Sequence, residues 1–117
     1  MGPRELLRWQ WEGYPRYHAQ RVNLLLHLFS VPIFWAGTLL LVAALISLRW
    51  PLAVIGFGGM LVALVVQGRG HKLEAVPPAP FTGPGNFVAR FCLEQWINLP
   101  RFILGGAWRR AYRGDGR

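Results

Sequence analysis

Two long apolar runs dominate the pattern of hydrophobic and polar positions, one from Val22 to Leu48 and one from Pro51 to Val66. With their flanks, each supplies the roughly 20 residues that an α-helix needs to cross a bilayer. Arg49-Trp-Pro51 lies between them and reads as a turn: Pro51 suits the first turn of a helix, and Trp50 suits a membrane–water interface. The pattern therefore predicts spanning helices over about 22–48 and 51–70, antiparallel because the connection is so short. Ala43 and Ser47 on the first, with Gly59 and Ala63 on the second, are small enough to let the two helices approach closely.

Shorter amphipathic segments flank the runs. Residues 4–12 mix Leu6, Leu7, Trp9 and Trp11 with charged groups, as an interfacial helix does, and Gly13 and Pro15 are expected to end it. The proline-rich stretch after Glu74 excludes regular structure. A last amphipathic helix is expected at about 86–99, capped by Asn86, with Arg90 and Glu94 as i,i+4 partners and Pro100 as its terminator. The expected fold class is an all-α membrane protein: a two-helix transmembrane hairpin with N- and C-terminal interfacial amphipathic helices, in one domain of 117 residues.

The formal net charge is +8, which by itself would suggest nucleic acid. The distribution argues otherwise. Arg4, Arg8, Arg16 and Arg21 precede the first run; Arg69, Lys72, Arg90, Arg101, Arg109, Arg110, Arg113 and Arg117 follow the second; only Arg49 lies between. Charges at the ends of a hairpin follow the positive-inside rule rather than forming a groove-reading surface. Both termini are thus expected in the cytoplasm, with the protein integral to a membrane, most naturally a bacterial inner membrane. Cys92, the single cysteine, has no disulfide partner and no neighbour at metal-ligand spacing. The first run starts later and is longer than the apolar core of about 7–15 residues in a cleavable signal, so it is expected to be retained.

All three histidines fall at the same end of the predicted hairpin. His27 lies 22 residues before Arg49 and His71 lies 22 after it, so both sit roughly 33 Å from the turn. Asn23, His27 and Ser30 share one face of the first helix, and Gln67, His71 and Glu74 share one face of the second. Polar stripes at one depth are expected to face each other, since lipid would leave them unsatisfied. His18 would point away on a continuous helix, so the chain must turn near residues 19–21 to bring it in. Imidazoles with a carboxylate and no thiolate suit iron(II), zinc or another borderline divalent ion. Two readings compete with a metal site: a non-catalytic scaffold or lipid-binding hairpin whose histidines cap and pack, and haem held between His27 and His71.

Tyr17-His18, Asn23, His27 and Pro32 form one block, and Gln67-Gly-Arg-Gly70-His71, Glu74 and Pro78-Ala79 form a second. Over about residues 14–80 these resemble the Mpo1-like family (domain of unknown function 962). Yeast-type members carry further hydrophobic segments between the blocks, and their His-to-Glu interval is one residue longer than His71–Glu74. The resemblance implies iron(II)- and O2-dependent α-oxidation of a 2-hydroxy fatty acid. It also implies His18, His27 and His71 as metal ligands and catalytic residues, with Glu74 either a fourth ligand or a group behind them that orients a histidine. Asn23 and Gln67 would be hydrogen-bond donors behind them, and Arg69, Lys72 or Arg21 would hold the substrate carboxylate. The expected partners are membrane lipid, a fatty-acid-like substrate and O2. Self-association is also expected, because two helices alone offer an acyl chain little shelter.

Overall fold

The short break at residues 47–49 separates two helices much as its composition demands. In the computed structural model, which describes residues 1–114, the elements are α1 (Pro3–Tyr17), α2 (Arg21–Ile46), α3 (Trp50–His71), α4 (Pro84–Leu93), a π-helical turn (Glu94–Asn98), α5 (Leu99–Leu104) and α6 (Ala107–Arg113). Every regular element among the described residues is helical. Arg117 lies outside those residues. Both α2 and α3 are long and apolar enough to cross a membrane.

At the break, the Arg49 amide reaches back to the Ala44 carbonyl at 2.8 Å. This requires Leu48 to adopt a left-handed conformation, with φ at 56°. A branched residue there costs about 1–2 kcal/mol that glycine would not. From the break α3 returns along α2. They pack tightly at Gly37 and Gly56, where a Cβ on either would come within 2.6 or 2.7 Å of the other's carbonyl oxygen. The expected contact was elsewhere. Ala43 and Ser47 are exposed, whereas Gly59 faces α2, where a Cβ would lie at ordinary contact distance from Gly37 and Ile33, and Ala63 is fully buried, so only the α2 half of the expected contact fails. Small residues recur along both helices, and their spacing does not say which pair meets.

The flanking segments depart further from expectation. Helix α1 runs through Gly13 and Pro15 to Tyr17. Near a helix end Pro15 removes one backbone hydrogen bond, and Tyr14 beside it is buried in the core with Leu24, Val31, Leu99 and Phe102. Pro100 does not terminate the last helix either. The Leu99 amide bonds to Glu94 O, one residue further back than an α-helix would place it. In that register Gln95 O would need an amide hydrogen from Pro100, which has none; the Trp35 indole N–H supplies the bond instead, at 2.7 Å. The helix begins at Pro84, ahead of Asn86, whose side chain accepts from the Thr82 amide. Helix α6 is held against the start of α2 by Trp108 Nε1 donating to Leu24 O and Arg21 Nε donating to Tyr112 O.

Candidate metal centre

Four elements each contribute one side chain to a single point. His18 follows the last residue of α1, His27 lies nearly two turns into α2, His71 ends α3, and Glu94 opens the π turn. Their ligand atoms all lie within 4.8 Å of one another. The three imidazole centroids form a nearly equilateral triangle with sides of 4.8, 4.8 and 4.9 Å, and the rings are close to mutually perpendicular. The chain turns where His18 requires it: α1 stops at Tyr17 and α2 restarts at Arg21.

Backbone carbonyls set the orientation of two of the rings. His18 Nδ1 lies 2.9 Å from Tyr14 O, and His27 Nδ1 lies 3.0 Å from Asn23 O. A carbonyl only accepts, so each Nδ1 carries the proton and each neutral ring leaves a lone pair on Nε2. Both Nε2 atoms approach the same oxygen, Glu94 Oε1, at 2.9 and 3.0 Å. A lone pair facing a carboxylate oxygen is repulsive unless something positive lies between. Protonating both imidazoles would bury two charges; one divalent cation answers all the ligand atoms together. His71 Nδ1 is also buried without a hydrogen-bond partner. The donor set therefore fits a divalent ion with bonds of about 2.0–2.2 Å after a small inward movement of the side chains.

Burial alone would raise the Glu94 carboxyl, but positive charge placed on His18, and then on His27, holds it well below the usual carboxylate range, and a cation between these groups acts in the same direction. It is present as the anion. Tyr14 stacks on His18 with centroids 3.7 Å apart and places its hydroxyl 3.3 Å from Glu94 Oε1. Burial, and then the Glu94 charge, push its phenol well above the ordinary value, so it remains a proton donor.

Of the residues singled out from the sequence, the three histidines come together and Glu74 does not join them. Its carboxylate instead accepts from the amides of Ala19 and Gln20 at 3.0–3.2 Å and from Asn23 Nδ2 at 2.6 Å. It closes the start of α2, where a negative charge complements the helix dipole. Asn23 is thus tied to His27 through its carbonyl and to Glu74 through its amide. Gln67 lines the cavity beside the centre, its amide doubly bonded to that of Gln95 at 2.9 and 2.6 Å. Arg21 is engaged with Tyr112, while Arg69 and Lys72 are exposed and away from the cavity. Sequence reasoning missed Glu94 as a ligand because it paired Glu94 with Arg90. In the structure Arg90 bonds to the carbonyls of Ala79 and Pro80 instead. The available signal was scarcity: the chain has only five acidic residues, and this one sits in an aromatic segment.

A cavity of about 310 Å³ opens onto the centre. His18, His71 and Glu94 line it, whereas His27 does not, so the centre has a closed back and one open side. Its walls are largely aromatic: Trp9, Tyr17, Phe81, Phe87 and Phe91, together with Arg16 and Arg90. No protein-family model, curated protein or solved structure matches the chain.

Proposed function

We propose that the protein is a membrane-embedded, iron(II)-dependent dioxygenase that shortens 2-hydroxy fatty acids or related lipids by one carbon. The observation that carries this reading is the convergence of two imidazole lone pairs, a third imidazole and the Glu94 carboxylate on the floor of an aromatic cavity. Three histidines and one carboxylate with an open side form a donor set of the kind that non-haem iron enzymes use. The resemblance of Tyr17-His18, Asn23, His27 and Gln67–His71 to the Mpo1-like family points the same way.

Membrane placement has independent support. Only 28% of the apolar window in α2 and 22% of that in α3 is buried within the protein. Phe29, Ile33, Leu39, Val54, Ile55 and Val62 are all exposed along the pair. Lipid is the solvent that makes such a surface favourable. In this reading α2 and α3 form the transmembrane hairpin, α1 and the α4–α6 segment lie at the cytoplasmic interface, and both termini are cytoplasmic.

Iron bound by His18, His27, His71 and Glu94 would supply dioxygen binding and activation. The balance needs no external reductant: one 2-hydroxy acid and one O2 give the acid one carbon shorter, carbon dioxide and water. The chain's own contributions follow from its geometry. The carbonyls of Tyr14 and Asn23 hold the ring protons of His18 and His27 away from the centre. Tyr14 keeps a proton beside Glu94, and the aromatic walls limit water.

The test is anaerobic purification with elemental analysis, then incubation with a 2-hydroxy fatty acid and O2, with mass spectrometry of the product. Bound iron and a product one carbon shorter are expected. Replacing His71 with Ala should empty the site while the helices remain. An iron-loaded protein that leaves every 2-hydroxy acid intact would refute the reading in favour of a non-catalytic lipid-binding hairpin.

A further inference from the structure

The cavity holds a desolvated cation that no carboxylate contacts directly: Glu12 and Glu94 share the lining, Glu94 acts on it only through space, and neither forms an ion pair with it among the described residues. Arg90, in α4, lines it and is only 8% exposed. Its Nη1 donates to Pro80 O at 3.1 Å and to Asn86 Oδ1 at 3.4 Å, and its Nη2 donates to Ala79 O at 2.9 Å. The rings of Phe81 and Trp9 lie 4.1 and 5.1 Å from the guanidinium carbon. Every one of these partners is neutral. The buried Nε–H has no partner, and Arg90 forms no ion pair among the described residues. A guanidinium taken from water whose direct contacts are only dipoles and rings is costly even with the Glu94 charge nearby, and an anion with two oxygens is the partner its planar fork best fits.

We propose that Arg90 anchors the carboxylate of the acyl substrate in this cavity; the proposal rests on the oxidase reading for the identity of that substrate. Arg90 lies one helical turn before Glu94, about 6 Å along the axis. A carboxylate held there keeps C2, one bond away, next to the metal centre, and leaves the aromatic wall of Phe87 and Phe91 for the chain. The other basic residue on the lining, Arg16, is exposed, with its guanidinium over the Tyr17 ring. It belongs to the mouth. Arg69, Lys72 and Arg21 do not reach the cavity lining.

The experiment uses the full chain in detergent after chelation of metal, so that no ion competes for the carboxylate. Binding of 2-hydroxyoctanoate, its uncharged amide and octyl phosphate is measured by calorimetry for the wild type and for Arg90→Gln, Arg90→Lys and Arg16→Gln. The wild type should prefer the acid over the amide by about 10- to 100-fold, the worth of a charged hydrogen-bonded pair. In Arg90→Gln the preference should collapse to within about 3-fold while affinity for the amide holds, a pattern that mere loosening of the fold would not produce. Arg90→Lys should retain part of the preference, and it carries the test if the glutamine variant does not fold. The anchor is overturned if the chelated wild type shows no preference, if Arg90→Gln keeps it, or if Arg16→Gln abolishes it. Tighter binding of octyl phosphate than of the acid would overturn it in favour of a phosphate-headgroup site. Failure of the oxidase reading looks different: the Arg90 preference persists, yet iron-loaded protein leaves the hydroxy acid unchanged.

Discussion

Exchanging one carboxylate for its amide at two positions separates the metal ligand from the helix cap. Glu94 Oε1 lies 2.9 and 3.0 Å from the Nε2 atoms of His18 and His27, whereas Glu74 reaches Ala19, Gln20 and Asn23. Glu94→Gln preserves shape and removes the charge on which the lone pairs converge. Outer residues that merely orient a metal ligand cost about 10- to 100-fold in affinity when lost. A direct ligand should cost at least the upper figure, about 2.8 kcal/mol. Glu74→Gln weakens an N-terminal cap, worth about 0.5–2 kcal/mol of helix stability. It touches the centre only through Asn23 and the His27 ring, so metal affinity should fall by no more than about 10-fold. Competition against a chromophoric chelator gives the affinities, and thermal unfolding of the metal-free variants in detergent gives the stabilities. The crossed result, with metal lost from Glu74→Gln and kept in Glu94→Gln, would refute the assignment of the centre.

Four further outcomes follow from the packing. Leu48→Gly should raise the unfolding midpoint, since glycine relieves about 1 kcal/mol of left-handed strain at an exposed site; an unchanged or lower midpoint contradicts that account of the turn. Trp35→Phe should cost about 1–3 kcal/mol by orphaning Gln95 O, measured by denaturant unfolding, and a neutral result would mean that the π turn satisfies its own carbonyls. Gly56→Val should separate α2 from α3, because its Cβ would start 2.7 Å from backbone; cross-linking between the helices should drop accordingly. Tyr14, whose phenol is pushed up in the fold, contributes stability that is complete below its ordinary pKa of 10.0 and is lost as pH rises through the higher folded value. Tyr14→Phe should therefore be less sensitive than the wild type to alkaline unfolding, as followed by circular dichroism against pH.

The two long helices and the shared depth of His27 and His71 were legible because apolar length and helical rise are properties of single segments. The turn that brings His18 inward was legible for the same reason: nine residues on one helix would have sent it the wrong way. Contacts between segments were harder to read. Gly37 and Gly56 meet because the whole α2–α3 interface settles in one register, and neither glycine's immediate neighbours mark that register. Pro15 and Pro100 suggested helix ends, yet tertiary partners overrode both: a buried Tyr14 beside the first, and the Trp35 indole at the carbonyl left open by the second. Gln95, Asn98, Leu99 and Phe102 form a buried stripe at helical spacing. Its first two members are polar, so hydrophobic periodicity passes over them.

The exchange of roles between the two glutamates follows from the same physics. In the resemblance to the Mpo1-like pattern the acid after His71 looked like a ligand, but α3 ends at His71 and the next three residues curl away from it. Glu74 is left facing the amides of Ala19 and Gln20, which donate to it, and an anion is favourable there whether or not a metal is present. By fixing that break it also fixes where His18 turns inward and, through Asn23, where the His27 ring receives its carbonyl. Glu94 is left for the centre because Arg90, one turn earlier, is held by the 79–80 carbonyls and forms no ion pair with it, acting on it only through space. A carboxylate that builds the frame and another that completes the centre thus come from opposite sides of the proline-rich loop. Shortening that loop should move Arg90 and Glu94 together, disturbing the cavity and the metal centre at once while leaving the cap at α2 in place.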